Sequence, residues 1–337
     1  MKILIVKLSA FGDIIHALPA LDDLIKQPNV DEIHWLVDAR FAFTAELLPE
    51  SVKVHKVALK GERPLRDAWA MIKTLRKEEF DLIFDLQGLI KSGIMARAIG
   101  PNVLGFDARQ SPEKPNRFFV RPVPFHRDDT HVVQLYRRIA AAPFNTAPDN
   151  EAMPYRSPTV EVTDIMRAKG KQALSEVGIN EPFSILHVGG SFPTKRAPDS
   201  HWPTIAAELA EAGKVLVLWG NNEEQVRAGM ACSVSKNVVT PDQMLSISAV
   251  SGLLERADVY IGQDTGVTHL AAAVGCPTVC LWGATAPWRM GALGSEHLHV
   301  VAQVPCGPCF KRTCDAFICM PSIRPEHITS AWREVKR

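Results

Sequence analysis

Residues 1–21 read MKILIVKLSAFGDIIHALPAL: an apolar run of strand length, a turn at Gly12 and Asp13, then an apolar stretch at helical spacing. The same device returns at 80–93, FDLIFDLQGLIKSG, and at 257–275, ADVYIGQDTGVTHLAAAVG. A strand, a short glycine-bearing turn and a helix in succession are the parts of a βαβ unit, which builds parallel sheets.

Working outward, strands are expected at 2–8, 32–38, 52–58 and 81–87, with helices after Gly12, over 41–48, over 65–79 and after Gly88. In the second half, strands are expected at 183–189, 214–220, 237–240, 258–264 and 277–283. The pattern predicts an α/β protein of two Rossmann-like domains, 1–157 and 158–322, joined by the proline-rich, polar stretch around 146–160. A terminal helix over 323–337 is expected to pack back on the first domain. Residues 111–129, SPEKPNRFFVRPVPFHRDD, carry so many prolines that they read as a long surface loop.

The 337 residues, 46% of them hydrophobic, can fill two cores. A formal net charge of +1 gives no bulk attraction to nucleic acid or membrane. Locally the charge is uneven: Lys53 to Lys77 holds eight Lys or Arg against two acids, and Asp107 to Arg127 five against two. Such runs are either solvated faces or contacts for an anionic partner. The N-terminal apolar run is too short for a signal peptide, and no segment reaches ~18 uncharged apolar residues. A cytoplasmic protein is expected, or one peripheral to a membrane. Cys306, Cys309, Cys314 and Cys319 form a C-x2-C-x4-C-x4-C cluster. It reads as a reduced or redox-pairing loop, or as a zinc or iron–sulfur site, although the spacing matches no standard pattern.

Three turns of the second half suit a diphosphate. Asp264, Thr265 and Gly266 stand where a strand gives way to a helix, so free N–H groups and the helix dipole favour an anion, with Thr268 and His269 on the first turn. A capped helix with a buried histidine is the plainer alternative. In HVGGSFPTKRAP, Gly189 and Gly190 let the backbone approach a ligand, and Lys195 and Arg196 offer charge. After Gly220, Glu223 and Glu224 are placed to bind ribose hydroxyls, or simply favour a helix start. No G-x-G-x-x-G follows a strand and no P-loop spacing is present, which argues against a dinucleotide oxidoreductase or a P-loop enzyme.

KLSAFGDIIHALPAL, FDLIFDLQGLIKSGIMARAIG, HVGGSFPTKRAP, LWGNNEEQ and GQDTGVTHLAAAVGCPTVCLWGATAP, in this order, resemble the motifs of the ADP-heptose:lipopolysaccharide heptosyltransferases, glycosyltransferase family 9. LQGLIKS followed by GFDARQSPEKPNRFF is most similar to the heptosyltransferase I members, and the cysteine-rich segment to others, including heptosyltransferase II. The resemblance implies a GT-B fold, its two domains facing across a cleft. It also implies inverting, metal-independent and cofactor-free transfer of L-glycero-D-manno-heptose from ADP-heptose to a Kdo residue of the inner core. Carried onto this sequence, Asp13 matches the general base and Lys195 a phosphate-binding lysine. Gly189, Gly190, Thr194, Gly220, Glu224, Asp264, Thr265, Gly266 and His269 fall in the donor-binding motifs. Kdo-lipid A as acceptor implies peripheral contact with the cytoplasmic face of the inner membrane. Its carboxylates and phosphates make Lys60, Arg63, Arg66, Arg117 and Arg121 candidate acceptor contacts. A nucleotide-sugar binding protein without catalysis, and a GT-B enzyme using another nucleotide sugar, remain the alternatives.

For Asp13 three roles stay open: base for the acceptor hydroxyl, cap of the following helix, or orientation of the acceptor.

Overall fold

The computed structural model describes residues 1–180 and 182–335 and divides the chain into two compact units, Met1–Pro158 and Thr159–Arg337. In the first unit, strands β1 (Lys2–Val6), β2 (Glu32–Asp38), β3 (Val52–Val57), β4 (Leu82–Asp85), β5 (Val103–Phe106) and β6 (Arg121–Val123) form one sheet in the order β3-β2-β1-β4-β5-β6. In the second, β7 (Phe183–His187), β8 (Lys214–Leu218), β9 (Val238–Val239), β10 (Val259–Gln263), β11 (Thr278–Trp282) and β12 (His297–Val301) follow the order β12-β11-β10-β7-β8-β9. Every pairing in both sheets is parallel.

Helices cover both faces of each sheet, so the central strands are apolar throughout rather than alternating. Ile3, Leu4, Ile5 and Val6 of β1 and Val259, Tyr260 and Ile261 of β10 are each wholly buried. The strand order reverses between β1 and β4 in one unit and between β7 and β10 in the other. Connections leave such a pair on opposite sides, opening a crevice at the carboxyl ends of the strands, where ligands of open α/β sheets bind.

Three expectations are corrected. The terminal helix, Pro325–Val335, packs on the second unit, not the first: Ile328 and Trp332, one turn apart, enter its core with Trp202, Leu281 and Ala302, and Arg333 reaches Glu208 at 2.8 Å. Lys336 and Arg337 lie outside the described residues. The proline-rich 111–129 stretch is not all loop: it contains a 3-10 turn, Lys114–Phe118, and β6. β6 is an edge strand, so the N–H that Pro122 lacks is not needed by a second neighbour. Residues 39–47 form a 3-10 helix kinked at Phe41 instead of an α-helix.

Candidate active site

The second unit gathers its polar residues at the carboxyl ends of β7, β8 and β10. Because β10 pairs with β7, the turns that leave them are neighbours. Lys195, in the turn after β7, places its ammonium 2.6 Å from Asp264 Oδ2 after β10, and His269 Nε2 lies 3.1 Å from Asp264 Oδ1. Burial opposes the charge on Asp264, but the His269 hydrogen bond and the Lys195 charge outweigh it and hold the carboxyl below the usual carboxylate range. Gly266 starts the helix Gly266–Ala273, and Thr265 is its N-cap residue without a side-chain cap bond. The helix start therefore directs backbone N–H groups to the place where Lys195 brings its charge.

Gly189 and Gly190 line this turn because no side chain fits. A Cβ on Gly189 would come within 2.7 Å of Glu224 Oε2 and of His187 Nε2, and one on Gly190 within 2.7 Å of Arg196 Cγ. The Gly189 carbonyl accepts from Gln263 Nε2 at 2.6 Å, and Arg196 Nε donates to the Gly190 carbonyl at 2.9 Å. Glu224 is buried and accepts from the Gly220 N–H at 2.8 Å and the Gly190 N–H at 3.4 Å. It ties the β7 and β8 turns together. Thr194 is buried too, its hydroxyl donating to the Lys311 carbonyl at 2.5 Å, so it anchors the turn that carries Lys195 to the cysteine-bearing segment.

Beneath these turns lie two residues that the sequence reading missed, His187 and Tyr260, joined to Thr268 and Thr265. His187 Nδ1 is 3.0 Å from the Tyr260 hydroxyl, which is 3.1 Å from Thr268 Oγ1, itself 3.2 Å from Thr265 Oγ1. Burial lowers the His187 pKa to about 4, against the opposing pull of Glu224, and raises that of Tyr260. This neutral chain fixes the floor of the site.

In the first unit, Asp13 sits in the first turn of the helix Phe11–Ile25, and its Oδ2 accepts from the Ala10 N–H at 3.2 Å. The capping reading thus describes a contact that exists, yet the side chain remains 40% exposed. Lys7, only 2% exposed, holds its ammonium 3.9 Å from Asp13 Oδ2. The same Nζ donates to the Leu86 carbonyl at 3.0 Å and to the Tyr136 hydroxyl at 2.8 Å. Burial lowers the Lys7 pKa, while Asp13 and Asp85 favour its charge. Gln87 Oε1 accepts from the N–H groups of Leu8 and Ser9 at 2.9 and 2.8 Å, fixing the chain that leads to Asp13. Asp85, at the end of β4, is buried and its pKa raised, although Asn116, Ser92 and the Gly88 and Gln87 N–H groups donate to it. A buried lysine and aspartate carry no distinctive local pattern, which is why they escaped the sequence reading.

The five basic acceptor candidates are all exposed and divide into two groups. Lys60 and Arg63 follow β3, with Arg66 in the first turn of the helix Pro64–Arg76; Arg117 belongs to the Lys114–Phe118 turn and Arg121 to β6. β3 and β6 are opposite edges of the sheet. Cys306, Cys309, Cys314 and Cys319 are free thiols around one small cavity of about 10 Å³, next to Thr194 and Gly283. Among the described residues, three metal-ligand atoms converge elsewhere, at Glu32, His34 and Glu78. There the Lys2 ammonium already meets Glu78 at 2.9 Å, and Lys53 meets Glu32.

The family model for glycosyltransferase family 9 (heptosyltransferase) matches residues 68–317. The chain belongs to glycosyltransferase family 9. Lipopolysaccharide heptosyltransferase 1 of Pseudomonas aeruginosa is 33% identical over 326 residues, which cover 93% of this chain and 87% of the relative. The Escherichia coli heptosyltransferase WaaC with ADP-2-deoxy-2-fluoro heptose superposes with a TM-score of 0.76 at 21% identity, covering 99% of each chain. The E. coli ADP-heptose lps heptosyltransferase II superposes with a TM-score of 0.77 at 16% identity, covering 100% of this chain and 98% of its own. This family 9 member is therefore a glycosyltransferase, and its two parallel six-stranded sheets are those of the GT-B fold.

Proposed function

We propose that this family 9 glycosyltransferase transfers L-glycero-D-manno-heptose from ADP-heptose to a Kdo residue of the lipopolysaccharide inner core, with inversion and without a metal ion. The observation that carries the reading is the Lys195–Asp264–His269 cluster beside Gly189, Gly190 and the Gly266 helix start. A departing ADP carries its charge on the diphosphate. Lys195 and backbone N–H groups supply fixed positive charge for it, the service a divalent cation gives in other transferases. Similarity to heptosyltransferase 1, and the heptose analogue in the WaaC structure, support heptose as the sugar.

In the proposed reaction the acceptor hydroxyl attacks the anomeric carbon from the face opposite the diphosphate. Asp13 takes the hydroxyl proton, the new C–O bond forms, and the bond to ADP breaks with its electron pair going to the phosphate oxygen. Lys7, anchored by the Leu86 carbonyl and the Tyr136 hydroxyl, stands 3.9 Å from Asp13 Oδ2 and positions that carboxylate at the helix start. Gly189, Gly190, Gly220 and Glu224 shape the donor turns, and Thr194 supports Lys195. Lys60, Arg63, Arg66, Arg117 and Arg121 meet the anionic acceptor, which places the enzyme in peripheral contact with the cytoplasmic face of the inner membrane.

The test is ADP release from ADP-heptose with two acceptors, Kdo2-lipid A and its heptosylated product, with a UDP-sugar as control donor and mass spectrometry of the lipid. Turnover with ADP-heptose and Kdo2-lipid A is expected. Transfer only to the heptosylated lipid would favour a heptosyltransferase II reaction, for which the cysteine-rich segment speaks. Binding of the donor without transfer to either would contradict the proposal.

A further inference from the structure

We infer that the helix Pro64–Arg76 is a membrane-docking element that places Leu65 and Trp69 among the lipids of an anionic bilayer surface. The helix is seated on its unit by Ile72 and Leu75, which are buried, and by the partly buried Ala68 and Met71. At its N-terminal end, Leu65 and Trp69, one turn apart and flanking the seated face, are 86% and 52% exposed. Two large apolar side chains in adjacent turns on water are a costly arrangement without an occupant.

The charge around them selects that occupant. From Lys60 to Lys77 there are six cations, Lys60, Arg63, Arg66, Lys73, Arg76 and Lys77, against two acids, Glu62 and Asp67. Lys73 Nζ lies 5.8 Å from the centre of the Trp69 ring. An aromatic ring with a lysine head beside it, on a helix that also carries arginines, matches the boundary between acyl chains and anionic headgroups, where the ring enters and the cations meet phosphate. The neighbouring helix Ile90–Ile99 exposes Ile94, and the Lys114–Phe118 turn packed against it exposes Phe118, whose ring has the Arg117 guanidinium 4.9 Å from its centre.

The placement suits an acceptor that is itself a lipid. The helix begins just after β3, at the carboxyl end of a sheet whose strands all run parallel, the end at which Asp13 leaves β1. Docking through Leu65 would turn that end toward the bilayer. The inference deepens the proposed function, from which it takes the lipid acceptor, but vesicle binding can be read with neither donor nor acceptor present.

The experiment is co-sedimentation of the full chain with vesicles of phosphatidylcholine alone and of an equal mixture with phosphatidylglycerol. The parent, Leu65→Ser/Trp69→Ser and Lys73→Glu/Arg76→Glu are compared, with thermal unfolding as a check that the exposed substitutions leave the fold intact. The parent should bind the anionic vesicles alone, added salt should weaken binding, and each double variant should bind about tenfold more weakly or worse. The serine variant should keep its transfer rate to a deacylated, water-soluble acceptor and lose rate on the acceptor in vesicles. Equal vesicle binding by parent and serine variant, or no binding by the parent, would overturn the inference. So would self-association of the parent, lost in the serine variant, without vesicle binding, since the occupant would then be a second copy. Vesicle binding with no heptose transfer would instead count against the proposed function alone.

Discussion

Lys195 and Asp264 meet at 2.6 Å in the second unit, and His269 holds the other oxygen of the same carboxylate. The ammonium is thus fixed at the carboxyl ends of β7 and β10 before any donor arrives. Such preorganised charge acts most strongly where charge develops, on the departing diphosphate. Lys195→Ala should lower kcat by about 10²–10³ while leaving the acceptor KM within about twofold. Lys195→Arg should recover little, because a planar fork cannot take the position of a point charge. Steady-state ADP release checks both, and a Lys195→Ala enzyme with full kcat would remove the residue from the chemistry.

Gly189→Ala tests the closeness of the donor turn. The added methyl would stand 2.7 Å from both Glu224 Oε2 and His187 Nε2, neither of which can retreat within the buried floor. We expect ADP affinity to fall about tenfold or more, corresponding to the 1–3 kcal/mol typical of overpacking. Calorimetric titration with ADP measures this directly. Unchanged affinity would mean that the turn does not approach the ligand.

Acid should loosen the second unit. His187 has its pKa depressed by burial from 6.5 to about 4. The buried neutral ring therefore contributes stability that is fully present above about pH 6.5 and is lost as pH falls toward about 4. The loss over that window is on the order of 3 kcal/mol. Asp264, also depressed, contributes above the ordinary carboxylate range and fails only in stronger acid. Thermal unfolding across this range should show a falling Tm, and His187→Asn, which keeps an acceptor for the Tyr260 hydroxyl, should flatten the slope. Equal slopes in parent and variant would contradict the assignment.

Much of the fold was legible because the central strands are covered on both faces and so read as plain apolar runs. β1, β4, β7 and β10 fall in this class, and the switch points lie between them. β5, β6 and β12 were missed: they contain Gly105, Pro122, His297 and His299, and two of the three are edge strands. The donor turns were legible singly, from glycine and charge at strand exits. Parallel strands also put these exits on one side of the sheet; the direct contact of Lys195 with Asp264 was not legible, since it follows from the pairing of β10 with β7. Lys7 was invisible for another reason. Lysine normally stands in water, and only the enclosing Leu86 carbonyl and Tyr136 hydroxyl make it a buried neighbour of Asp13.

The two roles open to Asp13, helix cap and general base, give different expectations. As a cap accepting the Ala10 N–H it would be worth about 1 kcal/mol of stability, and Asn would replace it well. As a base it has no substitute in Asn, which cannot take a proton. The measurement that decides is single-turnover heptose transfer from ADP-heptose to Kdo2-lipid A by the parent and Asp13→Asn, with donor binding and Tm followed in parallel. If Asp13 is the base, the transfer rate falls by about 10²-fold or more while donor affinity and Tm are retained. Transfer at the parental rate by the Asn variant would leave Asp13 as a helix cap and contradict the mechanism.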